Sequence, residues 1–154
     1  MKLKKNKVDR LLEGLSLGVL ISVTLYLVLN WSSIPEQVPM HFNAAGVIDR
    51  WGNKGELVIV PGMAWFLYLL ITGFQKIPMI WNTGVKVTEE NKERVYRNLN
   101  YMIGTTKLIM VITFAILSVY PLLGVNLPWW WTFLELGLVF GNLTFWLIKL
   151  YREQ

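Results

Sequence analysis

The side chains best able to do chemistry lie in one polar stretch, residues 34–56, between two apolar segments. It holds the only histidine of the chain, His41, and an acid, Asp49, eight positions later. A carboxylate can orient an imidazole that acts as a base, so this pair could serve a membrane enzyme. Such an enzyme also needs a nucleophile, but Ser32 and Ser33 have no partner at a recognisable spacing. We therefore predict that His41 and Asp49 are not catalytic, and the enzyme stays as an alternative.

His41 is also the natural candidate for a metal ligand. Zinc sites use about three or four protein ligands. The local companions of His41 are Glu36, Asp49 and Glu56, and the chain has no cysteine. Because this set is a weak signal, we predict neither a metal site nor a cofactor.

The composition indicates that a membrane positions these residues. The chain of 154 residues is 54% hydrophobic and 16% charged, with a mean hydropathy of +0.42. A helix needs about 20 apolar residues to cross hydrocarbon. Four runs approach this length, at residues 11–31, 57–77, 99–120 and 129–148. We predict an all-α integral membrane protein in which residues 1–154 form a single four-span domain.

Polar residues inside these runs form a second candidate site, because ionisable groups in hydrocarbon are costly. Lys107 lies within the third run, Glu135 and Asn142 within the fourth, and Glu13 just inside the first. We expect Lys107 to face the bundle and to meet Asn142 or Glu135; the alternative is that it snorkels to the headgroups. If Lys107, Glu135 and Asn142 line one water-filled path, the protein is a transporter or a transporter subunit.

The distribution of basic residues predicts the orientation. The N-terminal tail, the segment between the second and third runs, and the C-terminal end carry most of the lysines and arginines. The first loop has Arg50 and Lys54, and the loop at residues 121–128 has no charge. By the positive-inside rule, both termini are cytoplasmic and these two loops face outward. The net charge of +5 thus flanks apolar runs, which favours the lipid bilayer over nucleic acid as a partner.

The outer loop contains residue types that a simple spacer does not need. Val38, Met40 and Phe42 alternate, which predicts a short extended segment, and the Asn43–Gly46 stretch is typical of a turn. Asp49 and Arg50 can close the loop through hydrogen bonds, and Trp51 is typical of an interfacial anchor. We therefore predict an ordered extracytoplasmic loop between helices 1 and 2.

The loop also resembles a known signature. A bacterial membrane family of largely unknown function shares the pattern Pro35-x-x-Val38-Pro39-x-His41-Phe42-Asn43-x-x-Gly46-x-x-Asp49-x-Trp51. Short stand-alone members resemble this chain again at Val85-x-Val87-Thr88-x-Glu90-Asn91-x-x-Arg94-x-Tyr96. The resemblance covers about residues 31–107. That domain also forms the N-terminal half of SdpI-type immunity proteins, which protect a cell from its own secreted toxic peptide; their second half, with a Gly-x-Arg-Thr stretch, has no counterpart here.

We expect a small multi-pass protein of the bacterial cell membrane that acts through its outer loop. The resemblance implies binding, sensing or peptide-toxin immunity, with a peptide or a membrane protein as partner at the outer face. The candidate binding residues are Pro39, His41, Phe42, Asn43, Gly46, Asp49 and Trp51.

Overall fold

Four long helices dominate the computed structural model, which describes residues 3–152. They are α1 (Lys7–Asn30), α2 (Ile59–Gln75), α3 (Lys92–Val119) and α4 (Trp131–Tyr151). Each is long and apolar enough to cross a membrane, α2 together with the short 3₁₀ helix Lys54–Val58 that precedes it. The prediction of four helices that are long and apolar enough to span a membrane is therefore confirmed.

The helix boundaries follow local sequence signals. Asn6 caps α1, since its side chain accepts a hydrogen bond from the Asp9 amide at 3.0 Å and the Asp9 carboxylate accepts one from the Asn6 amide at 2.8 Å. At its own start, α3 extends beyond the apolar run to Lys92, so the last part of the polar segment before the third run continues into that run as one helix. Gly124 has a φ of 64° and ends the short 3₁₀ helix Tyr120–Leu123 that follows α3.

The helices alternate in direction and leave two distinct ends. We call one the basic end; it is formed by residues 3–10, 76–98 and 149–152, which carry most of the lysines and arginines. We call the other the hairpin end; it is formed by residues 31–58 and 120–130. Helix α3 packs against each of the other three helices and is the centre of the bundle.

A small antiparallel sheet lies at the hairpin end. Its strands are β1 (Gln37–Phe42) and β2 (Ile48–Asn53), joined by a turn in which the Asn43 amide donates to the Val47 carbonyl at 2.9 Å. The predicted extended segment and the predicted turn are confirmed. Strand β2 was not predicted, and the sheet adds a non-helical element to the helical class.

Three groups of buried apolar residues run along the bundle. The central group joins α1, α2 and α3 and consists of Leu20, Ala64, Tyr68 and Val111. The group that anchors the hairpin consists of Leu27, Ile34, Val38 and Leu57. The group that closes the basic end consists of Trp81, Val95, Leu99 and Leu150. The outward surfaces of the helices are also apolar, with Phe66, Leu69 and Phe140 each more than 60% exposed. Such surfaces suit a bilayer better than water.

We predict that the two ends lie on opposite sides of the membrane, because the basic end should stay in the cytoplasm. The natural chain has no cysteine, and Ala45 and Lys86 are exposed at the hairpin end and the basic end. A membrane-impermeant maleimide should label Ala45→Cys on intact cells and Lys86→Cys only after lysis. The opposite pattern would invert the orientation, and labelling of both variants on intact cells would contradict an odd number of spans between the two positions.

Candidate functional site

Three side-chain pairs close the hairpin, and one of them joins Lys54 to Glu36 at 2.6 Å across the open end of the sheet. Asp49 Oδ1 lies 2.6 Å from His41 Nδ1, and Arg50 Nη1 donates to Glu56 Oε2 at 2.8 Å. The prediction that Asp49 and Arg50 close the loop is confirmed. The side chains of His41 and Asp49 are 63% and 42% exposed, so their pairing contributes at most about 1 kcal/mol to stability.

Backbone hydrogen bonds fasten the hairpin to the second loop of the same end. The Leu127 amide donates to the Gly46 carbonyl at 2.8 Å, and the Asn126 side chain accepts from the Ile48 amide at 2.9 Å. The Thr132 hydroxyl, in the first turn of α4, donates to the Ala44 carbonyl at 3.0 Å. The two loops therefore form one surface.

Gly46 makes this docking possible. Its φ is +80°, in the left-handed region, and a Cβ atom there would lie 2.5 Å from the Leu127 carbonyl oxygen. Asn43 supports the same turn, since its side-chain oxygen accepts from the amides of Ala45 and Val47. The structure therefore explains why the turn has glycine at position 46 and asparagine at position 43.

A cavity of about 370 Å³ lies between the hairpin and the helix ends. Its wall includes four of the predicted binding residues, which are Pro39, His41, Phe42 and Asn43. Thr132 and a set of apolar residues complete the wall; the apolar set is Met40, Ala44, Leu57, Val60, Leu117, Pro121, Leu127 and Trp131. The other predicted loop residues lie elsewhere. Gly46 holds the loops together, Asp49 pairs with His41, and Trp51 is 53% exposed on β2.

A second polar group is buried in the basic half of the bundle, around Lys107. The lysine is 1% exposed, and its Nζ donates to Glu13 Oε2 at 2.6 Å, Gln75 Oε1 at 2.8 Å and Thr72 Oγ1 at 3.0 Å. All three ammonium protons are therefore used. The Tyr68 hydroxyl donates to the other Glu13 oxygen at 2.5 Å, so both oxygens of this carboxylate have a donor.

The polar contacts continue from Lys107 toward the basic end. Gln75 Nε2 donates to Asn100 Oδ1 at 3.2 Å, and Asn100 Nδ2 donates to Asp9 Oδ1 at 2.8 Å. Arg97 Nη1 donates to Asp9 Oδ2 at 3.1 Å. We call the set Asp9, Glu13, Tyr68, Thr72, Gln75, Arg97, Asn100 and Lys107 the buried network.

The predicted contact of Lys107 with Asn142 or Glu135 is wrong, although Lys107 does face the bundle. Asn142 Nδ2 donates to the Thr106 hydroxyl at 2.9 Å, and Glu135 Oε2 accepts from Thr113 at 2.7 Å. Neighbouring residues of a helix point about 100° apart, so Thr106 faces α4 while Lys107 faces α1 and α2. The three intramembrane candidates therefore do not line one path.

Sequence reasoning missed most of the buried network, although a signal for it exists. Tyr68, Thr72 and Gln75 follow one another at intervals of four and three residues, which places them on one face of α2. Asp9 and Glu13 have the same spacing on α1. Polar residues at helical spacing within apolar runs indicate a buried polar interface between helices, even where no single residue is unusual.

His41 has Asp49 as its ion-pair partner, and within residues 3–152 no three histidine or acidic side chains lie close enough together to share a metal ion. No hydroxyl group in this part of the chain is hydrogen-bonded to the His41 ring. The geometry thus offers an oriented imidazole at the protein surface beside an apolar cavity.

Comparison with known proteins finds a similarity that includes the hairpin. Residues 18–65 match the family described as Domain of unknown function (DUF1648). This range contains much of α1, the whole hairpin and the start of α2, and thus the motif that carried the resemblance. The match to a family of unknown function is confirmed over a segment that starts earlier and ends sooner than predicted. The links to SdpI-type proteins and to bacteria stay predictions.

One curated relative shares the same limited coverage. An uncharacterized protein of Archaeoglobus fulgidus is 43% identical over 49 residues, which are 32% of this chain and 27% of the relative. The aligned segment therefore spans well under half of either protein. No solved structure matches the chain significantly.

We predict that Gly46→Ala loosens the hairpin end more than Gly124→Ala does. Both glycines have positive φ, so alanine at either position should cost about 1–2 kcal/mol of strain. Only at position 46 does the new Cβ also meet a backbone carbonyl, whereas nothing lies within 4 Å at position 124. The thermal midpoint in detergent should fall further for Gly46→Ala, and protease should cut the hairpin sooner. Equal midpoints would show that the close approach to Leu127 is unimportant.

We predict that Lys107→Met destabilises the protein, because it leaves the half-buried Glu13 carboxylate without its fully buried ion-pair partner. Breaking a buried pair costs up to about 3–5 kcal/mol, measured as a fall in the thermal midpoint in detergent.

Two variants control this measurement. Lys149→Met removes an exposed lysine that lies over the Trp146 ring and should change stability by less than about 1 kcal/mol. The double variant Glu13→Gln with Lys107→Met should recover part of the loss, since both charges are gone. If Lys107→Met melts at or above the midpoint of the wild-type protein, the pair does not hold the bundle together.

Proposed function

We propose that this chain is a membrane binding protein that receives an extended peptide segment at its hairpin end, and that it is not an enzyme. The observation that carries the proposal is the position of β1, whose residues from Pro39 to Phe42 border the apolar cavity of about 370 Å³. Strand β1 pairs with β2 alone among the described strands. A strand with one unpaired edge can accept another strand from a ligand.

The cavity wall supports an edge-on arrangement. Side chains of a strand alternate between its two faces, so a face would contribute every second residue. Here the consecutive residues 39–44 all line the cavity. The register of β1 against β2 is also irregular between Pro39 and Phe42, which breaks the alternation there. We propose that the unpaired edge of β1 faces the cavity, so that a peptide lying along it would place its side chains in the cavity.

The chemistry of the wall selects the kind of peptide. Phe42, Leu117, Leu127 and Trp131 make a largely apolar pocket, and its volume is in the range of about 300–1,000 Å³ that holds a small ligand. One or two large apolar side chains would fill it. His41 and its partner Asp49 lie at the exposed rim, where they can contact the polar backbone of the ligand.

The charge distribution and the domain match give the biological setting. The basic end would be cytoplasmic and the hairpin end would face outward, in the cell membrane. A peptide arriving from outside would then meet the hairpin first. The match at residues 18–65 covers the hairpin and supports a role for it within that domain family. A function in sensing a secreted peptide, or in immunity to one, fits this arrangement.

The two alternatives have less support. A transporter was expected to line one path with Lys107, Glu135 and Asn142, but these residues have separate partners. An enzyme would need a nucleophile beside His41, and its ring contacts Asp49. We therefore propose neither.

A peptide titration tests the proposal. The probe is a fluorescein-labelled octapeptide of alternating leucine and threonine, added to the full chain in lipid nanodiscs, with anisotropy as the readout and empty nanodiscs as the blank. Ala44 lines the cavity and its neighbour Ala45 does not, and both are exposed. Ala44→Phe should fill the cavity and weaken binding at least about ten-fold, which is about 1.4 kcal/mol. Ala45→Phe should bind as the wild-type protein does.

A second peptide tests the role of the strand edge. Replacing each threonine by proline keeps the leucines but removes backbone N–H donors, so binding should be lost. In a strain that is killed by a secreted peptide, survival should be lower with Ala44→Phe than with Ala45→Phe or the wild-type protein. The proposal would be refuted if the leucine–threonine peptide bound no more strongly than to empty nanodiscs. It would also be refuted if Ala44→Phe and Ala45→Phe weakened binding equally.

A further inference from the structure

We infer that the cavity at the basic end binds the phosphate-ester headgroup of a membrane phospholipid. This cavity is separate from the one at the hairpin end and has a volume of about 340 Å³. It lies between α1, α2 and α3, beside the buried network. Gly104 of α3 faces it, and a Cβ atom there would lie 3.1 Å from Leu12 Cδ1, so the helices approach closely on one side and leave space on the other.

Two lysines supply the anion-binding chemistry. Lys5 precedes α1 and Lys76 follows α2, and both are exposed and line the cavity. Neither has an ion-pair partner within residues 3–152. They line the same cavity from two separate segments, so a phosphate between them could pair with both ammonium groups.

The buried network compensates this positive charge only in part, through an attraction between Lys5 and Glu13. Asp9 is paired with Arg97 at 3.1 Å, and Glu13 is paired with Lys107 at 2.6 Å. Each carboxylate is thus already neutralised by a cation of its own. The charges of Lys5 and Lys76 therefore remain available to an anionic ligand from outside the network.

The floor of the cavity selects a headgroup that carries hydrogen-bond donors. The Glu13 side chain is 26% exposed, although both of its oxygens already have a donor. A carboxylate can accept more than one hydrogen bond at each oxygen. An ammonium or hydroxyl group beyond the phosphate could therefore bind there, as in phosphatidylethanolamine or phosphatidylglycerol. A choline headgroup has no such donor.

The position and the wall of the cavity favour a lipid over a soluble phosphate ester. Lys5 and Lys76 flank the ends of two spans, which is the depth of lipid phosphates when the bundle crosses a bilayer. Leu3, Leu12 and Pro78 make an apolar part of the wall, which suits the glycerol and upper chain region of a lipid. A soluble ester has no group that would use this apolar surface.

Native mass spectrometry of the full chain in detergent tests the inference. The probes are dihexanoyl phosphatidylglycerol, dihexanoyl phosphatidylethanolamine and dihexanoyl phosphatidylcholine, with glycerol 3-phosphate and inorganic phosphate as soluble arms. The first two lipids should bind saturably and raise the thermal midpoint, and the choline lipid should bind at least about five-fold more weakly.

A pair of double variants shows where the lipid binds. Lys5→Gln with Lys76→Gln should weaken binding at least about ten-fold. Lys4→Gln with Lys86→Gln removes two exposed lysines of the same end that do not line the cavity, and should leave binding unchanged. All four positions are exposed, so the variants should fold.

Three results would overturn the inference. Equal binding of the three lipids would indicate general solvation by lipid. Equal loss in the two double variants would indicate attraction by the overall charge of the basic end. Binding of glycerol 3-phosphate or phosphate as tight as that of the lipids, lost in Lys5→Gln with Lys76→Gln, would assign the site to a soluble ester.

Discussion

A lysine in the apolar interior must find acceptors within the protein, and this requirement fixes how the first three helices pack. The ammonium of Lys107 on α3 takes one acceptor from α1 and two from α2. Rotation or sliding of either helix would leave a buried proton unpaired, and unpaired buried polar groups cost several kcal/mol. Buried ion pairs add little net stability but penalise wrong arrangements. We therefore infer that the network mainly specifies one packing of α1, α2 and α3.

Helix α4 is attached in a different way. Its polar contacts with α3 involve the hydroxyls of Thr105, Thr106 and Thr113, and each such contact between helices is worth about 0.6–2 kcal/mol. Its two ends contact different parts of the protein. Thr132 is hydrogen-bonded to the hairpin, and Leu150 belongs to the core of the basic end. A helix held by several weak contacts can adjust without breaking the buried network.

The two cavities differ in chemistry, and an apolar layer separates them. The cavity of the hairpin end is bordered by a strand edge and apolar side chains, whereas the cavity of the basic end is bordered by lysines and the buried network. Between them lies the central core of Leu20, Ala64, Tyr68 and Val111. The two ligand sites that we propose therefore lie on opposite sides of this apolar layer.

Four long apolar helices, the extended segment at β1 and the turn at Asn43–Gly46 could be predicted from the sequence, because apolar run length and turn chemistry act locally. The sequence also placed Lys107 inside the bundle, since exposure to lipid is costly. Its partner was decided by tertiary structure: span lengths give the depth of Glu13, Glu135 and Asn142 but not the rotation of each helix. Rotation depends on the packing of all helices together, and it turned Lys107 toward α1 and away from α4. The docking of Gly46 on Leu127 likewise joins residues far apart in the chain, which no local pattern encodes.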